Sequence, residues 1–410
     1  MHFLLTDSQE SSNEKLSGHS SARERESVSS VASYAPMRRA RLSALLLAAA
    51  ALAVSTGASG PPPSASRPDP LADDISRWSR YLNENPSKDE DWTEIKAATA
   101  PVLGKAEEAM NDGRWYLALQ RLAPARANLA AQVYMDEIPA KTRTDMAAFE
   151  AEWASLGKTL SKDLGTPSPQ ALAGVTPAAV RAVGEAALPQ VRVFYDASLD
   201  YGHNTMADAG FFYLASARAQ KDFVEFCRSL SRPASLSASA AHGVHEPALR
   251  SIAGEIDALE GDLLTLYRPP ASIERHKEFI VASSTLKEAR ELDGWGLRYG
   301  ALLRYLQAAM RIDALRTPAP DLAAPALGAR LAELQGKMDA GGRDDSIGRI
   351  FLESAQGDVA HAEAGKKPEV AAAVATDVLP RYFAALEPPK PRPAKPPAAV
   401  TVTLVRWPYT

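Results

Sequence analysis

Two pairs of residues in this chain have the spacing of a metal-binding helix face. Asp200 and His203 stand three apart, and Asp358 and His361 repeat the interval. Residues three apart lie on one side of a helix, so each pair could offer a carboxylate and an imidazole to one ion. Two such helices could hold a pair of metal ions, as Glu-x-x-His helices do in di-metal bundles. Here the shorter Asp replaces Glu, Gly357 weakens the second helix, and no partner glutamates stand out. Arg192, Asp196, Asp200 and His203, with Asn204 beside them, read equally as a solvated or salt-bridged helix face.

Other reactive residue types are sparse. His242, His245 and Glu246 cluster in HGVHE but lack the second histidine of an H-E-x-x-H site. Cys227 is the only cysteine; beside Phe226 it reads as a small core residue. The S-x-x-K strings at Ser155–Lys158 and Ser284–Lys287 have no accompanying S-D-N or K-T-G element. Phosphate-loop, nucleophile-elbow and dinucleotide signatures are absent, no cofactor is implied, and the reading leans away from an enzyme.

A different pattern occurs three times. GRWYLALQR, GFFYLASAR and GLRYGALLR all fit G-x-x-Y-x-A-x-x-R. The copies are Gly113, Tyr116, Ala118 and Arg121; Gly210, Tyr213, Ala215 and Arg218; and Gly296, Tyr299, Ala301 and Arg304. A glycine at a left-handed turn would end one helix and begin the next. At roughly 100° per residue the tyrosine and alanine project about 160° apart, which suits a helix sandwiched between neighbours. The arginine shares the alanine's face and could reach a carboxylate. These positions therefore predict helix packing. Gly113-Trp115-Ala118 and Gly210-Phe212-Ala215 also resemble the corner of a tetratricopeptide repeat, over about ten residues each. The third copy has Arg298 at the aromatic position, and the copies are 97 and 86 residues apart, unlike that family's period.

The elements that would position these residues are helical. The 410 residues carry a net charge of −4 with no dense basic block, which argues against a nucleic-acid partner. Ala, Leu, Glu and Arg abound, and aromatic residues make up only 7%. Between about 73 and 386 helix starts recur at Ser87, Thr142, Thr176-Pro177 and Ser272. Stops recur at Gly113, Pro269-Pro270, Gly294, Pro318 and Gly341-Gly342. Apolar stripes run through Phe212, Ala215, Ala219, Phe223, Phe226 and Leu230, and through Trp295, Tyr299, Leu302, Leu306 and Met310. Pro101, Pro124, Pro189 and Pro380 should kink or split their helices. The expected class is all-α, a multi-helix array of packed helical hairpins.

The ends read differently. Residues 1–36 are polar and serine-rich, a disordered or gene-model extension. Residues 37–60 combine arginines, a short apolar run and small residues, as a signal peptide or an N-terminal anchor does. A Pro/Ser-rich linker (61–72) precedes the helical domain (73–386), which has a candidate sub-boundary at 233–247. A Pro-rich spacer (387–397) leads to residues 398–410, where Val400, Val402 and Leu404 alternate as in a strand and Trp407 follows. That strand should pair with a sheet elsewhere, in this chain or another.

These features favour an exported, periplasmic or extracellular, non-enzymatic interaction protein with a protein partner for its C-terminal strand. Membrane attachment arises only if the 42–60 segment is an uncleaved anchor. Two alternatives are a metal-binding bundle or metal-dependent enzyme built on Asp200, His203, Asp358 and His361, and a helical receptor for a small ligand.

Overall fold

The computed structural model describes residues 70–84, 90–165, 167–172, 177–230, 245–270, 272–316, 324–361 and 368–387. Among them there is no strand, and β pairing is limited to one isolated bridge between His245 and Arg343. The all-α expectation holds for these residues. The signal-like segment 37–60, residues 1–36, most of the 61–72 linker, most of the 233–247 sub-boundary and the tail with Val400, Val402, Leu404 and Trp407 lie outside them.

Three hairpins form the centre. Helix α1 (Pro70–Glu84) lies against the first, made of α2 (Glu90–Asn111) and α3 (Trp115–Glu137). A short α4 (Ala140–Arg143) and α5 (Met146–Gly165) lead to the second hairpin, α6 (Ala178–Asn204) and α7 (Ala207–Ser229). After α8 (Ala253–Leu266) comes the third, α9 (His276–Gly294) and α10 (Arg298–Leu315). Helix α3 packs on α7, and α6 packs on α10, so the spatial order is α2, α3, α7, α6, α10, α9. Helix α11 (Ala324–Ala340) packs on α12 (Ser346–Ala360), which crosses onto α3 and α6. The last helical stretch is α13 (Glu369–Ala373), a π turn (Val374–Val378) and α14 (Leu379–Leu386), and it covers α10 and α12.

Helix α10 has neighbours on most sides, and its composition explains how it can. Ala301, Leu302, Leu303, Tyr305, Leu306, Ala308, Ala309 and Ile312 are all buried, far more than one stripe. Full burial of a Leu or Ile side chain is worth about 1.5–3 kcal/mol, so this helix is a main source of cohesion. In the stripe read from the sequence, Tyr299, Leu302 and Leu306 are buried, whereas Trp295 and Met310 are only half-buried. Cys227 is fully buried, and burial pushes its thiol pKa well above the ordinary value, which fits a packing role.

Several local expectations are corrected. Helices α2, α3 and α6 continue through Pro101, Pro124 and Pro189, so none of these three prolines splits its helix. At Pro380 the helix is irregular: the π turn ends two residues before it, where the proline's missing N–H cannot bond to the Thr376 carbonyl. The start of α5 is capped by Asp145, whose Oδ1 accepts the Ala147 N–H at 2.9 Å, rather than by Thr142. Residues 246–252 are not helical. Asp293 holds them from α9, accepting the Ile252 N–H at 3.2 Å and the Ser251 hydroxyl at 2.5 Å.

Candidate functional site

The four candidate metal ligands each engage something else. His203 and Asp200 are exposed on the last turn of α6; His203 Nε2 sits 3.2 Å from Glu150, and Asp200 accepts the Asn204 amide at 2.6 Å. Asp358 accepts the backbone N–H of Ala371 at 2.9 Å and so caps α13. His361 Nδ1 contacts the Gly357 carbonyl at 2.8 Å, one turn back. The two pairs do not converge. Among the described residues no three of His, Cys, Asp and Glu come together in a way that could hold a metal ion. His245 is exposed, joins the bridge to Arg343 through its backbone, and leaves Glu246 to pair with Arg181.

The threefold pattern falls in the N-terminal part of the second helix of each hairpin, α3, α7 and α10. In all three the alanine is buried, at 0% exposure for Ala118, 4% for Ala215 and 0% for Ala301. Tyr116 and Tyr299 are buried too, while Tyr213 is half-buried and stacks on Tyr201 with ring centroids 4.5 Å apart. The glycines divide. Gly113 and Gly296 have φ of 73° and 76°. Each closes its first helix with the paired bonds of a Schellman turn: Arg114 N–H to Ala109 O with Gly113 N–H to Met110 O, and Leu297 N–H to Leu292 O with Gly296 N–H to Asp293 O. Gly210 is not a turn residue. It lies inside α7, where a Cβ would stand 2.5 Å from Phe149 Cε2 and 2.9 Å from Gly202 Cα. Its bare backbone lets α6 and α7 cross closely.

Copies one and three share a second device that the sequence reading missed. The N–H of the residue after each tyrosine sits in the first turn of its helix, with no intrahelical acceptor. Glu353 of α12 accepts the Leu117 N–H at 2.9 Å, and Glu185 of α6 accepts the Gly300 N–H at 2.8 Å. Each glutamate is the eighth residue of its helix, preceded four residues earlier by an arginine, Arg349 or Arg181. Burial pushes the Glu353 carboxyl up to about 7 against the opposing pull of the Leu117 N–H, Arg349, Arg114 and Arg121. Burial raises Glu185 as well, against the Gly300 N–H and Arg181, whose Nε donates to it at 2.8 Å. In α7 the helix starts earlier, at Ala207, so the matching N–H of Leu214 is already inside the helix and needs no cap.

Around Glu185 the polar groups form a fastening. Arg181 Nη1 donates to Glu246 at 2.6 Å, and its guanidinium lies 4.1 Å from the Tyr299 ring centroid. The Tyr299 hydroxyl donates to the Pro247 carbonyl at 2.9 Å, and burial raises its pKa, with Glu246 adding to the effect. Arg298 donates to the Asp293 carbonyl at 2.7 Å and to the Asp293 carboxylate. Arg181, Glu246, Pro247, Arg298 and Tyr299 line an open cleft of about 350 Å³, and each of its charged residues is paired. Beside it, the N-terminus of α6 is held by Asp344, which accepts the Ala178 N–H at 2.7 Å, and by the Ser346 hydroxyl, which accepts the Ala179 N–H at 2.8 Å.

The arginines divide as the glycines do. Arg121 Nη1 donates to Lys105 O at 3.0 Å, and Arg304 Nη2 donates to Ala186 O at 3.0 Å. Arg304 also pairs with Glu288 at 3.0 Å. The expected carboxylate is therefore met once, and backbone carbonyls twice. Arg218 is exposed, and its recorded partner among the described residues is the Tyr134 ring, 4.1 Å away. It borders a second cleft, of about 320 Å³, between the C-terminal end of α3, α5 and α7.

No described helix is long and apolar enough to cross a membrane. No family model, no curated protein and no solved structure matches this chain.

Proposed function

We propose that this chain is an exported, non-enzymatic interaction protein of a bacterial-type cell envelope, with the helical body as platform and the C-terminal segment as contact. One observation carries the reading. The described body contains no strand, so the alternating segment around Val400, Val402 and Leu404 finds no sheet edge in it. Strand addition to a partner's sheet satisfies that backbone, and the Pro-rich stretch 387–397 supplies reach. The point of departure is held: Arg250 Nε donates to the Glu387 carbonyl at 3.0 Å and Nη2 to the Ala384 carbonyl at 3.3 Å. Further support comes from the strongly buried acids. Glu185 and Asp293 serve helix ends, Asp74 pairs with Arg126, and Asp345 accepts from Arg343 and Tyr382, all architectural uses.

The test is a cross-linked pull-down from native envelopes, comparing residues 61–410 with a version ending at Leu386. Partners captured by the longer chain alone support the proposal. Equal capture by both versions moves the contact onto the helices and overturns it.

A further inference from the structure

The second cleft differs from the first because the side-chain charges on its walls are unpaired. Its apolar floor is formed by Leu156, Phe211 and Leu214. Phe211 and Leu214 are buried, and Leu156 is half-buried, so the floor is fixed by packing into α5 and α7. On the walls stand Glu137, at the end of α3, Glu152 on α5 and Arg218 on α7. All three are exposed, and none of their side chains makes an ion pair or hydrogen bond with another described residue. The contrast with the first cleft is direct, since there Arg181 and Glu246 neutralise each other at 2.6 Å.

Arg218 is also pre-oriented. The Tyr134 ring lies under its guanidinium, and the Tyr134 hydroxyl donates to Asp222, which fixes the ring. A guanidinium stacked on one face keeps its edge free for a planar, two-oxygen acceptor. The carboxylates of Glu137 and Glu152 call for a cation in the same cleft. An apolar floor calls for a hydrocarbon or aromatic side chain, and the volume of about 320 Å³ is that of a small-molecule pocket.

We propose that this cleft binds a free α-amino acid with an apolar side chain. Arg218 takes the α-carboxylate, Glu137 and Glu152 take the α-ammonium, and the side chain rests on Leu156, Phe211 and Leu214. The site is independent of the C-terminal tail, so either proposal can fail without the other.

The test is isothermal titration of the purified full-length chain with L-leucine and L-phenylalanine, and with N-acetyl-L-leucine and L-leucinamide as single-charge controls. Saturable binding is expected for the two amino acids, with at least about tenfold weaker binding of both controls. Arg218→Ala should weaken leucine binding by about tenfold to a hundredfold, the scale of a charge-assisted contact, without changing the melting temperature of the unliganded chain. The double variant Glu137→Gln/Glu152→Gln should lose affinity for leucine yet gain it for N-acetyl-leucine, because the repulsion of the carboxylate is removed. That reversal is a change of specificity that a purely structural role would not produce. No saturable binding up to about 10 mM overturns the proposal. Leucinamide binding as well as leucine, or an Arg218→Ala variant that binds leucine normally, also overturns it.

Discussion

Hairpins α2–α3 and α9–α10 turn through a left-handed glycine and receive a glutamate from another helix at the start of their second helix. Hairpin α6–α7 carries the same G-x-x-Y-x-A-x-x-R string and does neither. Its glycine is needed for an absent Cβ, at the crossing with Gly202 and under Phe149, rather than for a positive φ. Because α7 begins three residues ahead of Gly210, its first turn is finished before the pattern starts, and the arginine is left facing a cleft. One spacing of residue types thus meets two packing demands, and what differs is where the helix begins relative to it. The alanine is the common element, buried in every copy.

The largest expected break in this comparison concerns pH. Burial lifts the Glu353 carboxyl to about 7 from the ordinary glutamate value of 4.5. A carboxyl whose folded pKa is raised contributes stability that is fully present below the unfolded pKa and is lost as pH rises through the folded one. Stability should therefore fall between about pH 4.5 and 7 by about 3 kcal/mol from this group. Glu353→Gln keeps an acceptor for Leu117 but cannot ionise. The difference between wild type and variant in urea unfolding should follow that slope, and a difference independent of pH would remove the buried-acid account of the first copy.

The glycines come next. Gly210→Ala should cost about 2–3 kcal/mol, since the new Cβ meets the Gly202 backbone as well as the Phe149 ring, which has 0% exposure. Gly113→Ala meets no atom within 4 Å and should cost about 1 kcal/mol through its left-handed φ alone. Thermal melts of the two variants decide the matter. Equal losses would mean that the two glycines do the same job after all.

Much of the fold was legible in the sequence because helix periodicity and glycine turns are local signals. The turns at Gly113 and Gly296 and the buried alanines follow from letters a few residues apart. What local letters could not carry was partnership over distance. Leu117 and Glu353 are 236 residues apart, and Gly300 and Glu185 are 115 apart. A faint trace existed in the Arg-x-x-x-Glu spacing of Arg181–Glu185 and Arg349–Glu353, each placed alike from its helix start. The Asp-x-x-H pairs misled for the opposite reason. Their spacing is right for one helix face, yet Asp358 is drawn to the start of α13 and His203 to Glu150. Nor could the stripe reading foresee that α10 would be enclosed, because that depends on α6, α9 and the C-terminal helices arriving on different sides. The cleft beside Arg218 combines residues from α3, α5 and α7, and no single stretch announces it.

The same pattern locks hairpins α2–α3 and α9–α10 through its arginine, and leaves the arginine of α6–α7 facing a cleft. The most direct test of that contrast is a matched series, Arg121→Ala, Arg218→Ala and Arg304→Ala, measured by urea unfolding at one pH. Arg304→Ala should cost about 2 kcal/mol and Arg121→Ala about 1 kcal/mol, because each strips a donor from a backbone carbonyl. Arg218→Ala should stay within about 0.5 kcal/mol of wild type, as an exposed side chain resting on one ring does. Three equal losses, or a loss greatest at Arg218, would contradict the account.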